Sequence, residues 1–153
     1  MLYRPYTLAD FPALYAIEEI CFEPPFRFGR RYMHRLADSF HTITWIAEEE
    51  GRMAGFAIAD YGRGSEGIVA YIQTIEVLPE MRGRGIGGEL LRRIDDSARD
   101  KGARAISLHV DSENGSAIRL YESHDYVCQG RKENYYPHGR AALIYIKRLE
   151  LGS

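Results

Sequence analysis

His109 in ISLHV and Tyr121 in RLYES are titratable residues, the first in a strand-like run and the second in a helix-like one. An imidazole near pKa 6.5 takes a proton at neutral pH and a phenol near 10 gives one, so the two could serve both ends of a proton-transfer reaction. Upstream lies a different chemistry: LPEMRGRGIGGELL packs four glycines and two arginines between Arg82 and Gly88. Gly83, Gly85, Gly87 and Gly88 free the backbone amides of Cβ atoms just before a helix. Such a loop forms a nest for a pyrophosphate, and Arg82 and Arg84 add positive potential. The same run also spells G-x-G-x-x-G at Gly83, Gly85 and Gly88, the dinucleotide fingerprint, with Asp111 placed as a ribose-binding acid. That alternative fits poorly. Five residues separate Val77 from Gly83 where the dinucleotide turn needs almost none, and the 65 residues after Gly88 are too few for a second mononucleotide half.

The elements that must position these residues are read from periodicity. Alternation in ISLHVD puts Ser107, His109 and Asp111 on one face of a strand and Ile106, Leu108 and Val110 on the other. Tyr121 follows Asn114 by seven residues, two helical turns, so both can face one cleft. GIGGELLRRIDDSARDKG is a helix with Ile86, Leu90, Leu91, Ile94 and Ala98 on one side and Gly102 as its stop. Thr7 and Asp10 form a capping box opening a helix over LADFPALYAIEEIC, with Leu14, Ile17 and Cys21 as its stripe. Arg30 to Asp38 makes a second helix. TITWIAEE and MAGFAIADY form a hairpin about Gly51, GRGSEG is a looser turn, and IVAYIQTIEV is a long β-branched strand. LYRPY opens the chain as a strand, and DYVCQGRKE and RAALIYIKRL close it. The expected order is β-α-α-β-β-β-α-β-α-β-β.

The runs VLPEMRGRGIG and LHVDSENGSAIRLYESHDY together resemble the two diagnostic motifs of the GNAT superfamily of N-acetyltransferases, over nearly the whole chain. YIQTIEV, LHV, NGSAIRLYE and NYYPHGRAALIY are most similar to its N-terminal protein acetyltransferases, of both the ribosomal-protein alanine type and the Met-reading type. The resemblance implies an α+β GNAT fold. Its central mixed, mostly antiparallel sheet has about seven strands, flanked by about four helices, and splays at the acetyl-CoA site. Backbone near Ile75 and Val77 would hold the pantetheine arm, Arg82, Gly83, Arg84, Gly85, Ile86, Gly87 and Gly88 the pyrophosphate, and Asn114 and Tyr121 would also touch the cofactor. Tyr121 matches the family's acid. His109 with Tyr71, eleven residues before Arg82, matches the base pair of the Met-reading type, whereas the alanine type carries Glu at the His109 position. Glu76 is the reserve base. Phe22, Pro24, Pro25 and Phe26 match the loop that builds the first-residue pocket, and Tyr135 and Tyr136 match tyrosines that hold substrate backbone. Glu23 and the second proline depart from that pattern. Each assignment has a structural alternative: Tyr71, Tyr121, Tyr135 and Tyr136 as packed aromatics, His109 as a strand histidine, Asn114 as a helix cap.

Composition limits the rest. With 45% hydrophobic residues, 153 residues can bury one core, so residues 1–153 are expected to form a single domain. Twenty Lys and Arg against 22 Asp and Glu, interleaved as in RRIDDSARDKGAR, argue against a nucleic-acid partner. No apolar run approaches a membrane span, and MLYRPYTLAD is unlike a signal peptide, so a cytoplasmic setting is expected. Cys21 and Cys128 lack metal or disulfide spacing and read as buried small residues; no metal is expected. His34, His41, His124 and His138 have no ligand spacing and are expected at the surface. The function expected is direct transfer of acetyl from acetyl-CoA to the N-terminal α-amine of a protein or peptide. A small-molecule amine acetyltransferase and a non-catalytic acyl-CoA sensor are the alternatives. Oligomeric state is not legible.

Overall fold

Leu90, Leu91 and Ile94 recur at helical spacing on α3 (Ile86–Asp100) and are fully buried, each worth about 1.5–3 kcal/mol of transfer from water. They cover one face of a seven-stranded sheet in this computed structural model, which describes residues 1–150. The strands are β1 (Leu2–Pro5), β2 (Thr42–Glu49), β3 (Arg52–Gly64), β4 (Gly67–Val77), β5 (Ala105–Asp111), β6 (Val127–Lys132) and β7 (Ala142–Arg148), in spatial order β1-β2-β3-β4-β5-β7-β6. Every pairing is antiparallel except β4 with β5. The opposite face is covered by α1 (Phe11–Cys21) and α2 (Arg30–Asp38), through Leu14, Ile17, Met33, Phe56 and Ile58. A fourth helix, α4 (Gly115–Ser123), precedes β6.

The element order matches the expectation, with three local differences. A 3-10 turn over Leu8–Asp10 precedes α1, and the capping box closes on that turn through the Thr7 N–H to Asp10 at 2.7 Å. Pro12 follows Phe11 in the first turn of the helix, where its missing N–H costs nothing. The loose turn expected over GRGSEG is a tight one: β3 and β4 continue to Gly64 and Gly67, which pair across Ser65 and Glu66, and Gly67 takes a φ of 121°. Of the two cysteines expected to be buried, Cys21 is partly so but Cys128 is exposed, because it lies on the edge strand β6.

Two irregularities in β4 shape the functional region. Ile58 pairs with Thr74 and Ala59 with Ile72, leaving Gln73 as an extra residue. This bulge exchanges the faces of the strand. Ile72 points toward α3, yet beyond the bulge Ile75 and Val77 also pack there, while Glu76 turns toward α1. The parallel pairing with β5 is brief, from Ala70–Ile106 to Ile72–Leu108, after which the two strands separate.

Candidate active site

Two cavities open where β4 leaves β5. The first has a volume of about 470 Å³, and Ile75, Val77, Arg82, Gly83, Gly85, Ile86, Gly87, Gly88 and Asn114 line it as the sequence led us to expect. Gly83 and Gly85 adopt φ values of 78° and 79°, and a Cβ on either would meet nothing within 4 Å. Their bare backbone therefore faces open space. Gly85 caps α3 without any side-chain hydrogen bond, so the first-turn N–H groups of that helix are available to an anion. The residues fit a pyrophosphate, and with it acetyl-CoA. Gly87 and Gly88 serve a second purpose. A Cβ on Gly88 would lie 3.3 Å from the His124 ring, so the missing side chain lets α4 pack closely on α3.

Arg82 lines this cavity but turns its Nε onto the Val77 carbonyl at 3.0 Å and its Nη2 toward Cys21 Sγ at 3.6 Å. Arg84 departs from the expectation. It does not line the cavity; Glu49 at the end of β2 holds it in a two-pronged ion pair, at 2.6 and 3.0 Å. Asn114 caps α4, its Oδ1 accepting the Ala117 N–H at 3.2 Å, and also borders both cavities, so the two roles expected of it coexist.

The second cavity, about 280 Å³, shares Phe22, Ile75, Asn114 and Ala117 with the first. His109 and Tyr121 both line it, brought together by the polar face of β5 and the second turn of α4. Tyr121 does not line the first cavity, so its expected cofactor contact is confined to the shared boundary. Burial, then Tyr136, raises the Tyr121 hydroxyl above the usual 10, keeping it a phenol that donates a hydrogen bond. Tyr71 Oη lies 2.8 Å from His109 Nδ1, and the His109 ring stacks flat on Tyr135 at 4.7 Å. Tyr71 does not itself line the cavity; it reaches the site through His109. Burial and Lys132 push the His109 pKa down, so the imidazole is neutral. His109 Nε2 is buried and has no partner in the protein; in the tautomer that donates Nδ1–H to Tyr71 it keeps a free lone pair.

Phe22, Pro25 and Phe26 line the second cavity with Tyr136, whereas Pro24 is exposed outside it and Tyr135 stands behind His109. The Arg140 guanidinium lies over the Phe26 ring at 5.6 Å and pairs with Asp111 at 2.5 Å, tying the α1–α2 loop to the end of β5. Glu76 is buried and lines only the first cavity, where its Oε2 accepts the Thr74 hydroxyl at 2.8 Å. Burial first, and contact with Glu18 next, push its carboxyl well above the usual range. As a reserve base it therefore faces the donor side.

Glu18 is the residue that reading the sequence missed. It is fully buried, borders the second cavity, and its Oε2 accepts the Phe28 N–H at 3.0 Å. The signal was present: Glu18 follows Leu14 by four residues on the stripe that includes Ile17 and Cys21, while Glu19 points to solvent.

The arrangement offers a phosphate nest, an adjoining apolar cavity, a neutral imidazole and a phenol at the junction. Comparison with known proteins gives the same chemistry. A Bacillus subtilis protein provisionally described as a ribosomal protein bS18-alanine N-acetyltransferase is 31% identical over 142 residues, 92% of this chain and 91% of its own. The streptothricin acetyltransferase of Streptomyces lavendulae is 36% identical over 87 residues, 57% of this chain and 45% of its own. The crystal structure of the ribosomal-protein-S18-alanine N-acetyltransferase of Escherichia coli shares the fold with a TM-score of 0.86 at 24% identity, covering 99% of this chain and 96% of that one. The sequence pattern of the Acetyltransferase (GNAT) family matches residues 11–126, from the start of α1 to the start of β6, and the chain belongs to that family of N-acetyltransferases.

Proposed function

We propose that this acetyltransferase acts on the N-terminal α-amine of a peptide or protein. Acetyl transfer from acetyl-CoA follows from the family; the choice of acceptor is the new element, and one observation carries it. A neutral imidazole with a free ring nitrogen borders a cavity of about 280 Å³, walled by Phe22, Pro25, Phe26 and Tyr136 and facing Tyr121. At pH ~7.4 an α-amine of pKa near 7.8 is roughly a quarter neutral, against roughly one molecule per thousand for a lysine near 10.4. A weak base such as His109 suits the first acceptor. The cavity lies just below the ~300–1,000 Å³ typical of ligand sites, the scale of a chain start. In this reading Tyr71 orients His109, which takes the proton from the attacking nitrogen, and Tyr121 supplies a hydrogen bond to the departing sulfur. Asn114 and the amides of Gly83 to Gly88 hold the donor. The reading carries with it a cytoplasmic setting and a peptide partner.

The similarity to streptothricin acetyltransferase favours a second reading, a small-molecule amine acceptor, but it stops at about half of that protein. Competition separates the two. A peptide with a free N-terminus and an internal lysine should be acetylated at its terminus at least ~10-fold faster than its N-blocked twin is at lysine. Faster modification of the blocked twin, or activity on small amines alone, overturns the proposal.

A further inference from the structure

Glu18 and Glu76 are 0% and 3% exposed and lie side by side across the α1–β4 interface. Two carboxyls buried together resist double ionisation, and burial, then Glu18, push the Glu76 carboxyl well above the usual range, so any negative charge there is shared between them. The charge is poorly met. Glu18 Oε2 has the Phe28 N–H and Glu76 Oε2 has the Thr74 hydroxyl, while Oε1 of each is buried without a hydrogen-bond partner. The Arg82 guanidinium, whose charge acts on Glu76, is exposed and engaged with the Val77 carbonyl. The Cys21 thiol beside the pair is uncharged, its pKa raised by burial and by Glu76. From the acceptor cavity the facing groups are neutral His109 and Tyr121 and the carboxylate of Asp111, which Arg140 already pairs.

A buried negative charge without a cation is expensive, and it persists where a ligand completes it. Glu18 borders the acceptor cavity and Glu76 the donor cavity, so the pair lies at the partition across which amine and acetyl group must meet. Amines reach the enzyme largely as ammonium ions.

We propose that the Glu18–Glu76 pair is a cation subsite that receives the acceptor in its ammonium form and aligns it before His109 removes the proton. Glu18 and Glu76 are then residues of acceptor recognition, and the enzyme selects charged amines over neutral isosteres of the same shape. The inference rests on the second cavity being the acceptor site, but not on the acceptor being a peptide.

The test is binding, measured by calorimetry at pH 6.5 with CoA present. A Met-initiated tetrapeptide and hexylamine are each compared with the isostere that carries a hydroxyl in place of the amine. The wild type should prefer an amine over its isostere by roughly 10-fold or more, the worth of one charge-assisted hydrogen bond. Either single Gln variant leaves one carboxyl able to carry the charge, so the Glu18→Gln/Glu76→Gln double variant is the test: it should bring that preference close to one while the circular dichroism spectrum stays unchanged. A preference intact in the folded double variant, or absent from the wild type for both ligand pairs, overturns the proposal. Should that variant fail to fold, Glu18→Ala/Glu76→Gln, read the same way, decides. Discrimination between hexylamine and hexanol without any peptide binding would support the subsite and overturn the N-terminal reading. Peptide binding without preference for the amine does the reverse.

Discussion

Asp95 and the Glu18–Glu76 pair are acids buried on opposite faces of one sheet, and they are treated differently. Asp95, on α3, is 3% exposed and fully met: Lys147 Nζ lies 2.7 Å from one oxygen and the Tyr126 hydroxyl 2.8 Å from the other. The contact ties α3 to β7 and to the entry of β6, away from both cavities. On the α1 face the two carboxyls have one amide and one hydroxyl between them, and Oε1 of each has no partner. Where a buried charge is neutralised by the fold it serves the fold. Where it is left open beside a cavity, the fold has conceded stability to a ligand.

The largest expected effects set these regions against each other. Lys147→Met strands a buried carboxylate and should cost about 3–5 kcal/mol of stability in chemical denaturation. The protein that remains folded should turn over at the wild-type rate. His109→Ala should do the opposite, lowering turnover by roughly 10²- to 10⁴-fold with denaturation little changed. A Lys147→Met enzyme that is stable but slow would remove the distinction.

A smaller effect follows from the raised pKa of Glu76. A carboxyl whose pKa is higher folded than unfolded contributes stability that is complete below the ordinary carboxylate pKa and is lost as pH rises through the folded value. Glu76→Gln lacks this loss. The variant should therefore gain on the wild type as pH rises above the usual glutamate range, by at most about 1.4 kcal/mol per pH unit. Melting temperatures of both proteins from pH 5 to 8 read the gap directly; a gap that does not widen contradicts the raised Glu76 pKa.

The smallest effect concerns His109. Lys132 and burial hold its pKa down, so it stays a competent base to lower pH than a free imidazole would. Lys132→Ala removes the charge and should move the acid limb of the kcat/KM profile upward, with the plateau unchanged. An unmoved limb places the base elsewhere.

The fold is legible in the sequence wherever periodicity is strong: the stripe of α3 and the alternation of β5 place Leu90, Ile94, His109 and Asp111 on the faces they occupy. The glycine nest is legible because a pyrophosphate demands bare amides ahead of a helix. Arg84 is not, since its charge alone says nothing about Glu49, 35 residues away, competing for it. Pairings between distant segments have no local signature. Glu18 escapes for the same reason: its apolar spacing predicts burial, but its purpose depends on Gln73, whose bulge turns Glu76 to meet it.

The parting of β4 from β5 beyond Ile72 and Leu108 leaves the second half of β4 hydrogen-bonded to a neighbour on one side only. A backbone group left without a partner away from water costs about 1–3 kcal/mol, and a ligand lying in the gap can restore it. Whatever binds the folded chain and not the unfolded one deepens the native well, by about 2.7 kcal/mol at a hundred times its dissociation constant. The supply of acetyl donor thereby becomes a factor in how long each copy escapes proteolysis, so that scarcity of donor shortens the lifetime of the enzyme as well as slowing it.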